Sequence, residues 1–368
     1  MAEFFAGIGL ARLGMEAAGL KVTWANDLSA EKLNMYLGNF GESAAEHYKL
    51  ADIADIAKDP GSYAVPKDLD AAWASFPCTD LSLAGGRKGL AGKHSGTFWN
   101  LIEILKKLGS RRPPVVALEN VNGFATSHQG EDLKAAIRAL NDLEYSVDVI
   151  TLDAKSWVPQ SRPRLFLIAA LCAPAQEEFD SPLLRPRWLD HVFADSGLTT
   201  HRAALPAPPS HLKSGWTSIV ENIPSDDPRW WDEKRMEKFN EQLSSVQLSK
   251  ISKISSSSEV CYRTAYRRTR EGKPAWEVRT DDIAGCLRTA GGGSSKQAVV
   301  RIEAGAPLRA RWMTSVEYAR LMGADEYILP TRASQAVMGF GDAVCVNAVQ
   351  WLTEVYLVPL IEGKLAAK

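Results

Sequence analysis

The chain has 368 residues, a formal net charge of −1 and 45% hydrophobic residues. That length buries a large core and points to two domains, or to one large domain carrying an insertion. Near-zero net charge excludes a general attraction to nucleic acid, so such a partner has to be met by a local basic patch.

No run of about 18 or more apolar residues occurs, so no membrane span is expected. The start of the chain lacks the basic-then-apolar pattern of a secretory signal. The five cysteines, Cys78, Cys172, Cys261, Cys286 and Cys345, are scattered and odd in number. They argue against a disulfide framework and for a reducing compartment, the cytoplasm. Without a CxxC and with dispersed histidines, no metal site is expected.

Residues 1–170 alternate strand-like and helix-like segments. Ala2 to Phe5 is a short apolar run that ends in Ala6-Gly7-Ile8-Gly9. Val22 to Ala25 is a second run, ending at Asn26-Asp27, and a third strand would end at Asp52-Ile53. Leu69 to Phe76 leads into Pro77-Cys78. Phe98, Leu101, Ile102, Leu105 and Leu108 recur at helical spacing. Val115-Val116-Ala117-Leu118 has no polar alternation, as expected of a strand covered on both faces. A helix through Leu133, Ile137 and Leu140 and a strand over Leu165–Ala169 follow. This alternation predicts an α/β fold with a mostly parallel sheet and helices on both faces.

The pattern breaks near Cys172. Prolines are dense from Pro174 to Pro228, and the Ser-rich stretch Ser244–Ser258 reads as a loop or flexible connector. Between Cys261 and Arg311 there are eleven Lys/Arg against five Asp/Glu, interleaved with Tyr262, Tyr266 and Trp276. Thr314 to Leu321 reads as a capped helix, and a last apolar helix runs from about Cys345 to Leu360. The expected organisation is a catalytic domain over 1–171, an irregular recognition domain over 172–308, and a C-terminal segment over 309–368 that returns to the first.

Gly7 and Gly9 follow the first strand, where glycines let the backbone approach a ligand closely. Asp27 stands 20 residues after Gly7 and is placed to accept hydrogen bonds from ribose hydroxyls. Asp52 could accept from an adenine amino group. Arg12 occupies the third glycine position of the dinucleotide fingerprint. S-adenosylmethionine, which has no pyrophosphate, therefore fits better than a nicotinamide or flavin dinucleotide. As ordinary structure, these residues would be a tight turn with surface carboxylates.

Cys78 lies at the carboxyl end of a strand, where such sheets bind ligands. A lone cysteine is as often a small buried hydrophobe. Glu119 directly follows the Val115–Leu118 run and belongs at the same sheet edge. Arg162 and Arg164, two apart before the Leu165 strand, share one face if the segment is extended. A thiolate, a carboxylic acid, an arginine and a methyl donor together suit methylation of cytosine at C5. Thiolate addition to C6 makes C5 nucleophilic. The acid and the arginine stabilise the charge that develops at N3 and O2, and a neighbouring arginine lowers the thiol pKa.

With these residues in view, the chain resembles the bacterial DNA (cytosine-5) methyltransferases over 2–170 and 309–355, with the motifs in the family's order. Phe5-Ala6-Gly7-Ile8-Gly9 resembles the cofactor loop. Asp27 with Leu28, and Asp52-Ile53, fall at ribose and adenine positions. Pro77-Cys78 with Ser82 resembles the nucleophile motif, and Glu119-Asn120-Val121 the acid motif. Gln160-Ser161-Arg162-Pro163-Arg164 resembles the arginine motif, which implies Arg164 for the O2 contact and Arg162 for support. Arg311 to Gly323 resembles the motif that holds the recognition domain. Gly341-Asp342-Ala343-Val344 resembles the last motif, beside the cofactor, with Asp342 in place of the usual asparagine. Glu3, Leu10 and Thr79 also depart from the usual residues. With the first strand starting almost at Met1, residues missing upstream would lower cofactor affinity.

The resemblance implies methyl transfer from S-adenosylmethionine to a cytosine flipped out of double-stranded DNA. It implies a monomer, marking self DNA beside a restriction or phage-defence system. Ser82, Gln160, Arg288, Gly291 and Gly292 are the expected nucleic-acid contacts, the last three in the Gly-rich loop Leu287–Gly293. A transfer-RNA cytosine-5 methyltransferase and a non-catalytic methyltransferase-like DNA-binding protein are the competing readings. The family's Cys-Phe-Thr tripeptide of the former is not seen, and Cys78, Glu119 and Arg164 argue against the latter.

Overall fold

The computed structural model describes residues 1–77, 90, 96–176, 181–256, 260–289 and 296–365. They fall into two compact units. The first comprises Met1–Asp153, Pro163–Pro209 and Val346–Lys368, and the second Ala154–Arg162 and Ser210–Cys345.

The first unit is built on β1 (Ala2–Phe4), β2 (Trp24–Asp27), β3 (Tyr48–Leu50), β4 (Ala71–Ala74), β5 (Val115–Val121), β6 (Ser146–Asp153) and β7 (Pro163–Ala170). They form one sheet in the order β3-β2-β1-β4-β5-β7-β6. β1 to β5 pair in parallel. β7 runs antiparallel to both β5 and β6, so the sheet is mostly parallel.

Side-chain alternation shows that helices cover both faces. Phe4 packs into a core with Ile56, Leu101, Leu105 and Ile137. These residues come from the helices Ile53–Lys58, Thr97–Leu108 and Glu131–Asn141. Glu3 turns the other way, to Arg12 and Glu16 of the helix Leu10–Ala17. Likewise Val147 and Val149 enter that core, while Asp148 meets Tyr356 of the C-terminal helical segment. Helix Leu10–Ala17 touches helix Val346–Leu352 so closely that a Cβ on Gly14 would lie 2.6 Å from the Val346 carbonyl oxygen.

From β1 the chain builds outward to β2 and β3 on one side, and later to β4 and β5 on the other. The reversal leaves a crevice at the carboxyl ends of β1 and β4, the place where open α/β sheets bind ligands. The Gly7–Gly9 loop and Phe76-Pro77 emerge there.

The second unit takes in residues 210–308 of the stretch 172–308 that reads as irregular. It carries a regular antiparallel sheet of β8 (Cys261–Arg270), β9 (Lys273–Val278), β10 (Gln297–Ile302) and β11 (Arg309–Trp312), in the order β11-β10-β8-β9. Glu271 (φ 49°) and Gly272 (φ 78°) form the two-residue turn between β8 and β9. Two successive left-handed residues match the twist of the flanking strands. One face of this sheet buries Ala265, Trp276, Val278, Ala298 and Val300 against Phe239, Leu243 and Ile251.

Much of the Ser-rich stretch is a helix, Ser245–Ser255, rather than a connector. The Ser244 hydroxyl caps it by accepting from Gln247 N at 3.3 Å, and Ile251 enters the core. The capped helix expected from Thr314 is present, and its cap is a capping box with Glu317 as the acid. Among the described residues one apolar stretch, Ala333–Ile361, has the length and hydropathy of a membrane span. It is interrupted at residues 343–345, and 56% of its most apolar window is buried in the protein, as in a core helix.

Candidate active site

The crevice in the first unit is shaped by the Phe5–Gly9 turn. Phe5 (φ 58°), Gly7 (φ 58°) and Gly9 (φ 82°) all adopt the left-handed region. Gly9 is required on a second count. A Cβ there would lie 2.3 Å from the Phe40 ring and 2.9 Å from Tyr36. The Tyr48 hydroxyl donates to the Gly7 carbonyl at 3.3 Å. The loop is thus buttressed by three aromatic side chains, none of which the sequence motifs had singled out.

Asp27, at the end of β2, accepts from Gly7 N on one oxygen and from Ser29 N on the other, both at 2.9 Å. A carboxylate has about four lone-pair sites, so capacity remains for ribose hydroxyls. Leu28 beside it is 69% exposed, unusual for an apolar side chain at a crevice mouth. Asp52 caps the helix Ile53–Lys58 by accepting from Ala54 N at 2.8 Å, and the Ile53 side chain is buried in the core.

Arg12 turns away from the phosphate-binding role of the glycine it replaces. Its Nε donates to Glu16 and an Nη to the Tyr36 hydroxyl, each at 2.9 Å, and its guanidinium lies 4.1 Å from the Phe40 ring centroid. Beneath it Glu3 is buried, and burial pushes its carboxyl up to about 8. Glu16 and Asp27 reinforce this, whereas Arg12 opposes it.

At the next strand end, Glu119 is 6% exposed, and its carboxylate lies 3.0 Å from Arg164 Nε. The register pairs Val121 with Arg164, which makes Glu119 and Arg164 diagonal neighbours across antiparallel strands. Asn120 donates from Nδ2 to the Phe76 carbonyl at 3.1 Å. The strand end that carries the acid thereby holds the segment entering Cys78. Phe76 is fixed on its other side by Phe98 and Phe124, with ring centroids 5.5 and 5.7 Å away. Asn120 lay inside a recognised motif, but the motif alone did not show its task.

Arg162 and Gln160 lie in the second unit. Arg162 is 1% exposed and donates to the carbonyls of Leu287 (2.7 Å), Gly341 (3.0 Å) and Ala343. Gln160 is fully buried, accepting from Leu287 N at 2.9 Å and donating to the Leu321 carbonyl at 2.6 Å. Arg288 is exposed. Asp342 accepts from the Thr289 hydroxyl, and Val344 is buried. Pro77 is partly buried. Cys78, Ser82, Gly291 and Gly292 lie outside the described residues. Among the described residues no cluster of His, Cys, Asp or Glu suits a metal ion.

A doubly wound sheet whose β7 runs antiparallel beside β5, with a glycine turn at the switch point, defines an α/β protein of the methyltransferase class. The chain belongs to the C-5 cytosine-specific DNA methylase family, whose model matches residues 1–357. It is 30% identical to the type II methyltransferase M.Bsp6I of Bacillus sp. (strain RFL6) over 189 residues, 50% of this chain and 56% of that one. It is 30% identical to M.HhaI of Haemophilus parahaemolyticus over 167 residues, 45% and 47% of the two chains. The chain thus spans about half the length of these curated relatives. Against M.HpaII of Haemophilus parainfluenzae the match is 25% identical over 364 residues, 95% and 86% of the chains. Among solved structures, the S. pombe Dnmt2 methyltransferase superposes with a TM-score of 0.61 at 18% identity, covering 98% of each chain. That likeness is one of fold.

Proposed function

We propose that this protein methylates C5 of a cytosine flipped out of duplex DNA, with Cys78 as nucleophile. The observation that carries the reading is the diagonal Glu119–Arg164 pair, on a strand end that also holds Phe76 through Asn120. Acid, arginine and the approach to the thiol belong to one small piece of the first unit.

Gly7, Gly9, Asp27, Leu28 and Asp52, with Phe5, Ile53 and Pro77 around them, would hold S-adenosylmethionine. The spare acceptor capacity of Asp27 suits a ribose, and the exposed Leu28 suits the face of a purine. When bound, this donor supplies an electrophilic methyl group on a sulfonium.

The chain's own residues do the rest. The Cys78 thiolate adds to C6, and electron density moves through the ring toward N3 and O2. Glu119, as a carboxylic acid, donates to N3, and the guanidinium of Arg164 faces O2. C5 is then an enamine carbon that accepts the methyl group. Loss of the C5 proton to a base, return of the N3 proton to the Glu119 carboxylate and departure of the thiolate restore the ring. Arg162, a supporting residue by resemblance, holds the Leu287 and Gly341–Ala343 backbone within the second unit. The arginines of β8, together with Arg288, Gly291 and Gly292, supply DNA contacts.

The type II relatives support a setting of self-marking beside a restriction or defence nuclease, and the protein is proposed to act as a monomer in the cytoplasm. Duplex DNA carrying 5-fluorocytosine at candidate sites provides the test. The expected result is a covalent protein–DNA adduct in the presence of S-adenosylmethionine that Cys78→Ser abolishes. No adduct at saturating cofactor contradicts the mechanism. Methyl transfer to transfer RNA in preference to duplex DNA assigns the other substrate.

A further inference from the structure

Within the second unit the segment Leu287–Thr289 and the turn Gly341–Ala343 are in backbone contact. A Cβ on Gly341 would lie 2.6 Å from both the Arg288 carbonyl carbon and Thr289 N. Arg162 staples the two from beneath, through the carbonyls of Leu287, Gly341 and Ala343. Gln160 holds Leu287 N as well. At the surface the Thr289 hydroxyl donates to the Asp342 carboxylate. Arg288, exposed, therefore stands between two anchored neighbours.

We infer that Thr289, held by Asp342, is a positioning residue for DNA recognition that fixes the direction of the Arg288 side chain. This rests on the DNA-methylating reading. A hydroxyl bound to a carboxylate is stronger than one bound to an amide. That gives the acid at position 342 a task on the DNA side of the joint. With the backbone on both sides of Arg288 fixed, less freedom is lost when its guanidinium meets a phosphate or a base edge. Without the latch Thr289 is released, while Leu287 stays pinned by Arg162 and Gln160.

The test is steady-state methylation of unmethylated plasmid DNA of mixed sequence, using labelled S-adenosylmethionine. Thr289→Val should raise KM for DNA about tenfold, with kcat and KM for S-adenosylmethionine within about twofold. Thr289→Ser, which keeps the hydroxyl, should stay within about threefold of the parent. Asp342→Ala should raise KM for DNA to the same extent as Thr289→Val, whatever it does to KM for S-adenosylmethionine, and the double variant should be no worse in KM for DNA than either single one, because the second change removes nothing further from the latch. Asp342→Asn, with a neutral acceptor, should fall between. Multiplying effects on KM for DNA in the double variant, an unchanged KM for DNA in either single variant, or an equal rise in both KM values in Thr289→Val would overturn the latch. Failure of the parent protein to label duplex DNA at all would instead sink the reading on which the latch rests.

Discussion

Glu119 and Arg164 sit diagonally across β5 and β7, with carboxylate and Nε 3.0 Å apart. The bond orients the carboxyl at the sheet edge without burying it beyond reach. If Glu119 donates to N3 of the cytosine, Glu119→Gln removes the acid while keeping much of the shape. Methyl transfer in a single turnover should slow by roughly 10²- to 10⁴-fold. Affinity for S-adenosylhomocysteine by calorimetry should stay within about twofold, because Asp27 and the glycine turn are untouched. Equal losses in rate and in cofactor affinity would contradict the assigned role.

A second titratable site lies far from the chemistry. His201 is buried between the Ser146 and Tyr356 hydroxyls, each 2.9 Å from a ring nitrogen. Tyr356 in turn donates to Asp148, which also pairs with Arg185. Burial lowers the histidine to about 4, with Asp148 opposing and Arg185 assisting. Below about 6.5 the unfolded chain binds a proton that the folded chain refuses until about pH 4. Stability is therefore present above 6.5 and declines as pH falls toward 4, by roughly 3 kcal/mol. Urea unfolding across this range should show that slope, and His201→Gln should flatten it. An unchanged slope in the variant would assign the acid sensitivity elsewhere.

Those buried polar groups also show where the sequence stops being legible. The apolar runs ending at Phe5, Phe76 and Leu118 announced themselves, because strands covered on both faces are nearly continuous in hydrophobicity. The glycine turn and the Thr314–Glu317 cap were legible because backbone geometry demands particular residues. β6 was not, because Asp148 interrupts its apolar pattern. The partner that makes its burial tolerable, Arg185, comes 37 residues later in a proline-rich stretch. β8 reads as a charged run because four of its residues are arginine: Arg268 and Arg270 lie on the face away from Ala265, whereas Arg263 and Arg267 share its face, across from Val300 and Trp276. At the site, Glu119 and Arg164 were placed at neighbouring strand edges from sequence. Their direct pairing needed the antiparallel register, which no local pattern encodes.

Glu3 gives the opposite pH signature. Its folded carboxyl keeps its proton to about pH 8, whereas a carboxyl in the unfolded chain ionises near 4.5. Its contribution is fully present below 4.5 and is lost as pH rises through 8, by on the order of a few kcal/mol. Glu3→Gln stays neutral throughout. The variant should gain stability over the parent progressively between pH 4.5 and 8, measured by chemical denaturation in matched buffers. A constant difference across that range would mean that Glu3 does not hold its proton.

Arg288 offers the most direct test of the proposed DNA surface. It is exposed beside Leu287, whose carbonyl and amide are held by Arg162 and Gln160. Removing its charge should therefore leave the joint beneath it intact. If the guanidinium meets one phosphate, Arg288→Ala releases one fewer contact's worth of counterions. The slope of log K against log salt should then become shallower by about 0.9. Anisotropy titrations of a mixed-sequence duplex over a range of potassium chloride would show this, with weaker binding at every salt concentration. Affinity for S-adenosylhomocysteine should not change. A preserved salt slope with weaker binding to a single sequence would instead place Arg288 on a base edge, where a lost bidentate contact costs about 1–3 kcal/mol of discrimination. A changed cofactor affinity would remove it from the DNA surface altogether.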